Sequence, residues 1–127
     1  MATMWTIGAD AADPPRLAEF WAAALGYILE PGYENDEHGA SIVDPDDLGP
    51  AIGFLHVPEP KTAKNRLHLD LRVAGPGPRD ALSAGRMRSK AAELVGLGAV
   101  QVREEFYGPE LGHIVMLDPE GNEFCVG

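Results

Sequence analysis

The amino-acid sequence predicts an α+β fold of two tandem βαβββ modules, curved mixed sheets around a central cleft with the helices outside. Two observations lead there. Two stripes of apolar residues at helical spacing each sit among short runs that alternate apolar and polar. A fixed order of matching steps also occurs twice along the 127 residues.

The first alternating run is Thr6–Ala11, with Ile7, Ala9 and Ala11 on one side and Thr6, Gly8 and Asp10 on the other. That is the two-residue period of a half-buried strand. Leu17, Phe20, Trp21, Ala24 and Leu25 then fall at i, i+3, i+4, i+7 and i+8, one apolar helical stripe. Asp13 suits the N-cap, Pro14 the first helical position and Gly26 a left-handed stop. Strands are expected at Tyr27–Glu30, Ala40–Val43 and Ala51–Val57, with His38 in a polar, exposed loop between them. Leu67, Leu69, Leu71 and Val73 next alternate with His68, Asp70 and Arg72, which puts the three polar residues on one strand face. Gly75–Gly85 is dense in Gly and Pro and reads as a loop. Met87, Ala91, Leu94 and Val95 repeat the helical spacing, with Gly96 or Gly98 as the stop. Val100–Glu104, His113–Leu117 and Glu123–Val126 complete the strands.

The halves match in order. Leu25-Gly26 closes the first helix and Leu97-Gly98 the second, and Val43-Asp44-Pro45-Asp46 has its counterpart in Leu117-Asp118-Pro119-Glu120. Each Asp-Pro-acidic step is turn chemistry between two strands. Self-similarity in fixed order marks a repeated supersecondary unit. The expected organisation is a single domain, residues 1–127, with module one about 1–60 and module two about 61–127. Each sheet then offers an apolar face to its helix and its other face to the cleft, a common place for a ligand.

Bulk properties narrow the function. The apolar share is 45%, ordinary for a globular chain. No run approaches the roughly 20 apolar residues of a membrane span, and no basic segment precedes an apolar leader. The one cysteine, Cys125, forms no internal disulfide. A cytoplasmic protein with no membrane partner is expected. A net charge of −10 argues against nucleic acid, whose binding replaces condensed counterions with Lys and Arg. It is compatible with a cationic ligand steered by the field, or simply with solubility.

Three segments carry a resemblance. Asp10-Ala11-Ala12-Asp13-Pro14 with Leu17 and Phe20-Trp21 through Leu25-Gly26-Tyr27 is the first, and Asn65-Arg66-Leu67-His68-Leu69-Asp70-Leu71 the second. The third is Asp118-Pro119-Glu120-Gly121-Asn122-Glu123-Phe124-Cys125-Val126. Together they resemble glyoxalase-like proteins of the vicinal-oxygen-chelate (glyoxalase/bleomycin resistance/dioxygenase) superfamily, over nearly the whole chain. That superfamily includes glyoxalase I, extradiol dioxygenases, fosfomycin-resistance transferases, epimerases and bleomycin-binding proteins, so the fold leaves activity open. In its metal-dependent members the ligands come from the first and last strand of each module. Carried over, those positions fall at Thr6, at Phe54 or a neighbour, at His68, and at Cys125, where a glutamate is usual. Only His68 is a standard ligand there; Cys125 can bind zinc as thiolate, but Thr6 and Phe54 leave such a site short of donors. The resemblance therefore implies a degraded metal site. No cofactor and no metal ligands are expected; a divalent metal is possible but not supported by these positions. The resemblance also implies a homodimer.

His68 and Asp70 are the candidate catalytic residues. His68 serves as general base or solitary ligand, Asp70 as a neighbouring acid or substrate anchor. The alternative is that Asp70 and Arg72 are structural partners, with Asp10 a further partner for Arg72. Glu123 shares a face with Cys125, whereas Phe124 and Val126 should face the helix; Glu123 lines the cleft but is out of register for the family ligand. Cys125 is a nucleophile only if a neighbour lowers its pKa; otherwise it packs as a small hydrophobe. His56 reads as a rim residue on the Ile52–Phe54 face, and His113 as a strand start, cleft-side or solvent-facing. Trp5, Phe54 and Tyr107 offer aromatic surface to a planar ligand, or ordinary packing. The candidate ligand-binding set is Asp10, Phe54, His68, Asp70, Arg72, Glu123 and Cys125. The leading expectation is a glyoxalase-like small-molecule-binding protein. One alternative is a lyase or isomerase with an altered or absent metal. The other is a drug-sequestering protein similar to bleomycin-resistance proteins, which only the acidity favours.

Overall fold

Each half of the chain builds a four-stranded mixed sheet with a parallel pair at one edge. The computed structural model describes residues 1–127 as two units, Met1–Pro60 and Lys61–Gly127. The first contains β1 (Ile7–Ala11), α1 (Pro14–Leu25), β2 (Ile28–Leu29), β3 (Gly39–Val43) and β4 (Ile52–His56). Its strand order is β1-β4-β3-β2. β1 and β4 are parallel and the other pairs antiparallel. A parallel pair needs a long crossover, and α1 with the two intervening strands supplies it.

Local chemistry sets the bounds of α1. The Asp13 side chain accepts from the Arg16 N–H at 3.3 Å, and Gly26 ends the helix at φ 72°, a conformation that costs glycine little. The stripe Leu17, Phe20, Trp21 and Ala24 is buried, as are Ile42 and Ile52 on the strands it covers. Phe54 belongs to that core at 2% exposure. Expected among the ligand-lining residues, it lies on the side of β4 that α1 covers. His56, expected at a rim on the Ile52–Phe54 face, is exposed while Ile52 and Phe54 are buried, so the alternation of β4 does not run on to its end.

The second unit contains β5 (Asp70–Leu71), α2 (Ala81–Gly96), β6 (Val100–Tyr107), β7 (Glu110–Leu117) and β8 (Glu123–Val126). Its order, β5-β8-β7-β6, is the first unit's order again. β5 and β8 are parallel, and β8/β7 and β7/β6 antiparallel. Met87, Ala91 and Leu94 of α2 are fully buried, as are Ile114, Met116 and Val126 of the sheet.

Several sequence expectations change here. Gly75–Gly85 is not all loop, since α2 begins at Ala81. Asp80 and Ser83 form a reciprocal capping box, Ser83 N–H to Asp80 at 2.8 Å and Asp80 N–H to Ser83 Oγ at 2.9 Å. Such a box satisfies two orphan N–H groups and offsets the mid-helix cost of Gly85. Val95 is 46% exposed and off the stripe, which runs instead through Ser83, Ala84, Met87, Ala91 and Leu94. The strand expected over Leu67–Val73 is laddered only at Asp70–Leu71, and Leu67 is 89% exposed. β6 and β7 are longer than expected and close into a hairpin at Gly108, φ 66°. Register shifts between Gln101 and Arg103 and between Glu105 and Phe106 had blurred the alternation of β6.

Candidate functional site

The residues with the most chemistry stand on the face of the second unit's sheet that α2 does not cover. β8 shows why they share it. Phe124 and Val126 are buried at 1% and 0%, so Glu123 and Cys125, alternating with them, project from the opposite face and are half-buried. Residues paired across strands share a face. Cys125 pairs with Asp70 on one side and Val115 on the other, and Val115 pairs with Arg103. Asp70, Cys125, Val115 and Arg103 therefore form one row across the sheet.

The segment before β5 is wrapped onto β8. Asn65 acts as a substitute strand: its Oδ1 accepts from the Glu123 N–H at 2.8 Å and its Nδ2 donates to the Glu123 carbonyl at 3.0 Å. Lys64 Nζ reaches Glu123 Oε1 at 2.6 Å. The Cys125 N–H then donates to the Leu69 carbonyl at 3.0 Å. These contacts explain both why Leu67 swings out to solvent and how His68 is delivered beside Cys125.

His68 Nδ1 lies 2.9 Å from Asp70 Oδ1. A carboxylate only accepts, so Nδ1 carries the hydrogen, and in the neutral ring the lone pair is on Nε2. Asp70 thus pairs with His68 and not, as one expectation had it, with Arg72, which is exposed and in no ion pair. Burial pushes the Cys125 thiol up, and the Asp70 charge, its hydrogen bond to Asp70 and the Glu123 charge add to that, with only Arg103 opposing. The thiol is kept protonated, the reverse of what a nucleophile needs. The Glu123 carboxyl is held below the usual range chiefly by its hydrogen bond from Lys64, against a smaller opposing effect of burial, with Arg103 and His68 also favouring the anion. Arg103 is itself paired with Glu105.

One donor atom from each of His68, Asp70 and Cys125 lies within 4.8 Å of the others. In a four-coordinate zinc centre, ligand atoms stand roughly 3.5 Å apart, from bond lengths of about 2.0–2.3 Å. The three donors stand near that spacing, and an imidazole, a carboxylate and a thiol are donor types that a divalent ion takes. The sequence expectation counted only the family positions and so left Asp70 out of the donors.

Of the seven candidate ligand-binding residues, His68, Asp70, Glu123 and Cys125 come together here, and Arg72 follows Asp70 at the margin of β5. Asp10 and Phe54 belong to the first unit, Asp10 exposed on β1 and Phe54 in the core. His113 is half-buried and meets the Tyr107 hydroxyl at 2.7 Å; a Cβ at Gly112 would strike the Tyr107 ring, so glycine is what lets the ring lie there. Sequence reasoning missed Lys64, Asn65 and Arg103. Asn65 lay inside a segment already singled out, but Arg103 is reached only through two strand pairings and a register shift, which leave no periodic trace.

Comparison with known proteins yields a match to the family described as glyoxalase-like domain over residues 6–127. No curated protein matches the chain. Among solved structures, a glyoxalase/bleomycin resistance/dioxygenase family enzyme of Burkholderia phytofirmans superposes with TM-score 0.73 at 14% identity, covering 98% of this chain and 97% of that one. A variant of the fosfomycin resistance protein FosX of Listeria monocytogenes, complexed with Mn(II) and a dihydroxypropylphosphonic acid, gives 0.70 at 11%, covering 99% and 89%. A protein of Agrobacterium tumefaciens gives 0.69 at 17%, covering 99% and 96%. At these identities the likeness concerns the fold.

Proposed function

Because this chain belongs to the glyoxalase-like domain family, we propose that it binds a small molecule on the face of its second sheet opposite α2. The ligand rests on His68, Asp70, Arg72, Glu123 and Cys125, with Arg103 closing the row. The observation that carries this reading is the concentration of polar side chains on the sheet face opposite α2, with one guanidinium, Arg72, left without a counter-charge. An unpaired guanidinium matches the planar fork of a carboxylate or phosphonate, so the ligand is a small oxyanion-bearing compound. The family's usual metal arrangement is altered, since a thiol stands at Cys125. A divalent ion held by His68, Asp70 and Cys125 would polarise a ligand oxygen as a Lewis acid.

A titration with small carboxylates and phosphonates, followed by amide chemical shifts, tests the reading. Saturable shifts should cluster at Asp70, Arg72, Arg103 and Cys125, and Arg72→Gln should weaken them. Shifts scattered over the surface, or indifferent to R72Q, would sink it.

The His68–Asp70 hydrogen bond favours a second reading, a lyase or isomerase. Asp70 fixes the tautomer, and His68 Nε2 takes a proton from the substrate. A positioned base is worth roughly 10²–10⁴ in rate, so His68→Gln should abolish most turnover; a variant with unchanged turnover would remove His68 from the mechanism. The single thiol supports a cytoplasmic setting. A homodimer rests on the family resemblance; sedimentation at twice the chain mass is the expected result, and a monomer at all concentrations would refute it. No helix is long and apolar enough to cross a membrane.

A further inference from the structure

Beyond the small-molecule reading, we infer that His68, Asp70 and Cys125 form a divalent-metal site selective for a thiophilic, borderline ion of the Zn(II) class over a hard ion such as Mn(II). The first support is placement. Asp70 and Cys125 are ladder partners on adjacent parallel strands, and His68 stands two residues before Asp70, already 2.9 Å from its carboxylate. The three donor atoms lie within 4.8 Å of one another. The ladder fixes Asp70 against Cys125, and His68 lies just outside it, two residues before Asp70.

The second support is donor chemistry. One imidazole nitrogen, one carboxylate oxygen and one sulfur suit zinc, whose sites take N, O and S donors tetrahedrally. Mn(II) prefers carboxylate, carbonyl and water oxygens. Cys125 is the only cysteine, so selectivity between the two classes rests on that single atom. A bound cation deprotonates a coordinating thiol outright, and the proton leaves to solvent. Three protein donors leave one tetrahedral position open, which is the pattern of a site that receives an exogenous oxygen ligand.

The third support is the surroundings. Glu123 adds a further carboxylate close enough to act electrostatically on Cys125 and His68. The nearby cations Lys64 and Arg103 are already paired, with Glu123 and Glu105. Arg72, two residues past Asp70 and exposed, is a nearby cation in no ion pair. Asn65 holds Glu123 by both backbone groups and so fixes the strand that presents Cys125.

Co(II), a spectroscopic stand-in for zinc, provides a test without any organic ligand or turnover. Added to the full-length chain freed of metal, it should produce a sulfur-to-cobalt charge-transfer band at one equivalent. Equimolar Zn(II) should erase the band, and Mn(II) in large excess should leave it. Cys125→Ser should eliminate it and weaken Zn(II) binding by at least about tenfold, the smallest loss that removing even an outer partner of a metal ligand typically brings. His68→Gln, at a side chain 40% exposed, should weaken binding similarly, with circular dichroism confirming that both variants fold. The inference is overturned if no band forms, if Mn(II) competes as well as Zn(II), or if folded C125S or H68Q binds Zn(II) like the parent. Because the readout is the metal alone, its failure leaves the small-molecule reading standing, and the reverse holds too.

Discussion

Replacing Asn65 with alanine removes the side chain that stands in for a strand at Glu123. Three hydrogen bonds disappear: two to backbone groups of Glu123, at 2.8 Å and 3.0 Å in a part-buried setting, and one to the Leu67 carbonyl at 2.5 Å. A typical intramolecular hydrogen bond contributes about 0.5–1.5 kcal/mol net, and a group left unsatisfied adds a desolvation cost. Water can reach the freed N–H and carbonyl in part, so a total loss of about 1–3 kcal/mol is expected. For a chain of this length that lowers the melting temperature by about 4–12 °C. The assay is urea unfolding alongside a thermal melt, with amide exchange read at Glu123 and Cys125. Exchange at both should accelerate more than the change in global stability explains, because the local anchor of β8 is gone. Leu67→Ala, two residues on and 89% exposed, is the control and should stay within about 0.5 kcal/mol of the parent. If N65A is equally silent, the side chain is not holding the strand, and the account of how Cys125 is presented fails with it.

Other consequences can be checked directly. Met87→Ala leaves a cavity where a fully buried side chain of α2 sat, and about 2–5 kcal/mol of stability should go in urea unfolding; a change below about 1 kcal/mol would mean the core closes around it. Asp80→Ala breaks the capping box of α2 and should cost about 1 kcal/mol, whereas an unchanged midpoint would reassign the helix start. The hydrogen bond from Arg88 holds the Glu104 carboxyl below its ordinary range, against a smaller effect of burial. The unfolded chain then binds this proton at higher pH than the folded chain. The pair's contribution is full above the unfolded value near ~4.3 and fades as pH falls through the lower folded value. Glu104→Gln should therefore flatten stability on the acid side, and superimposable acid limbs for variant and parent would refute the pairing.

Much of the fold was legible because its signals are local. The α1 stripe, the Asp13 cap, the Gly26 stop and the two Asp-Pro turns each depend on residues within one or two turns of chain, and all appear where the sequence places them. Asp118 shows the turn chemistry plainly: its Oδ1 accepts from the N–H groups of Glu120 and Asn122, each at 2.9 Å. The start of α2 was misread because the Gly and Pro of the preceding stretch outweigh a capping box that is equally local. The ends of β6 were hidden for another reason, since a register shift inverts the two-residue period from which strands are read.

The site divides along the same line. That His68 and Asp70 share a strand face, and Glu123 and Cys125 another, follows from alternation alone, and the sequence determined that much by itself. Tertiary structure decided the rest. It made those two faces one by pairing Asp70 with Cys125 in parallel, brought Arg103 into the same row through β7, and turned Phe54 inward beneath α1. The reason is physical: a strand's backbone groups must be paired, but they do not say with whom, and alternation separates two faces without saying which one a helix will cover.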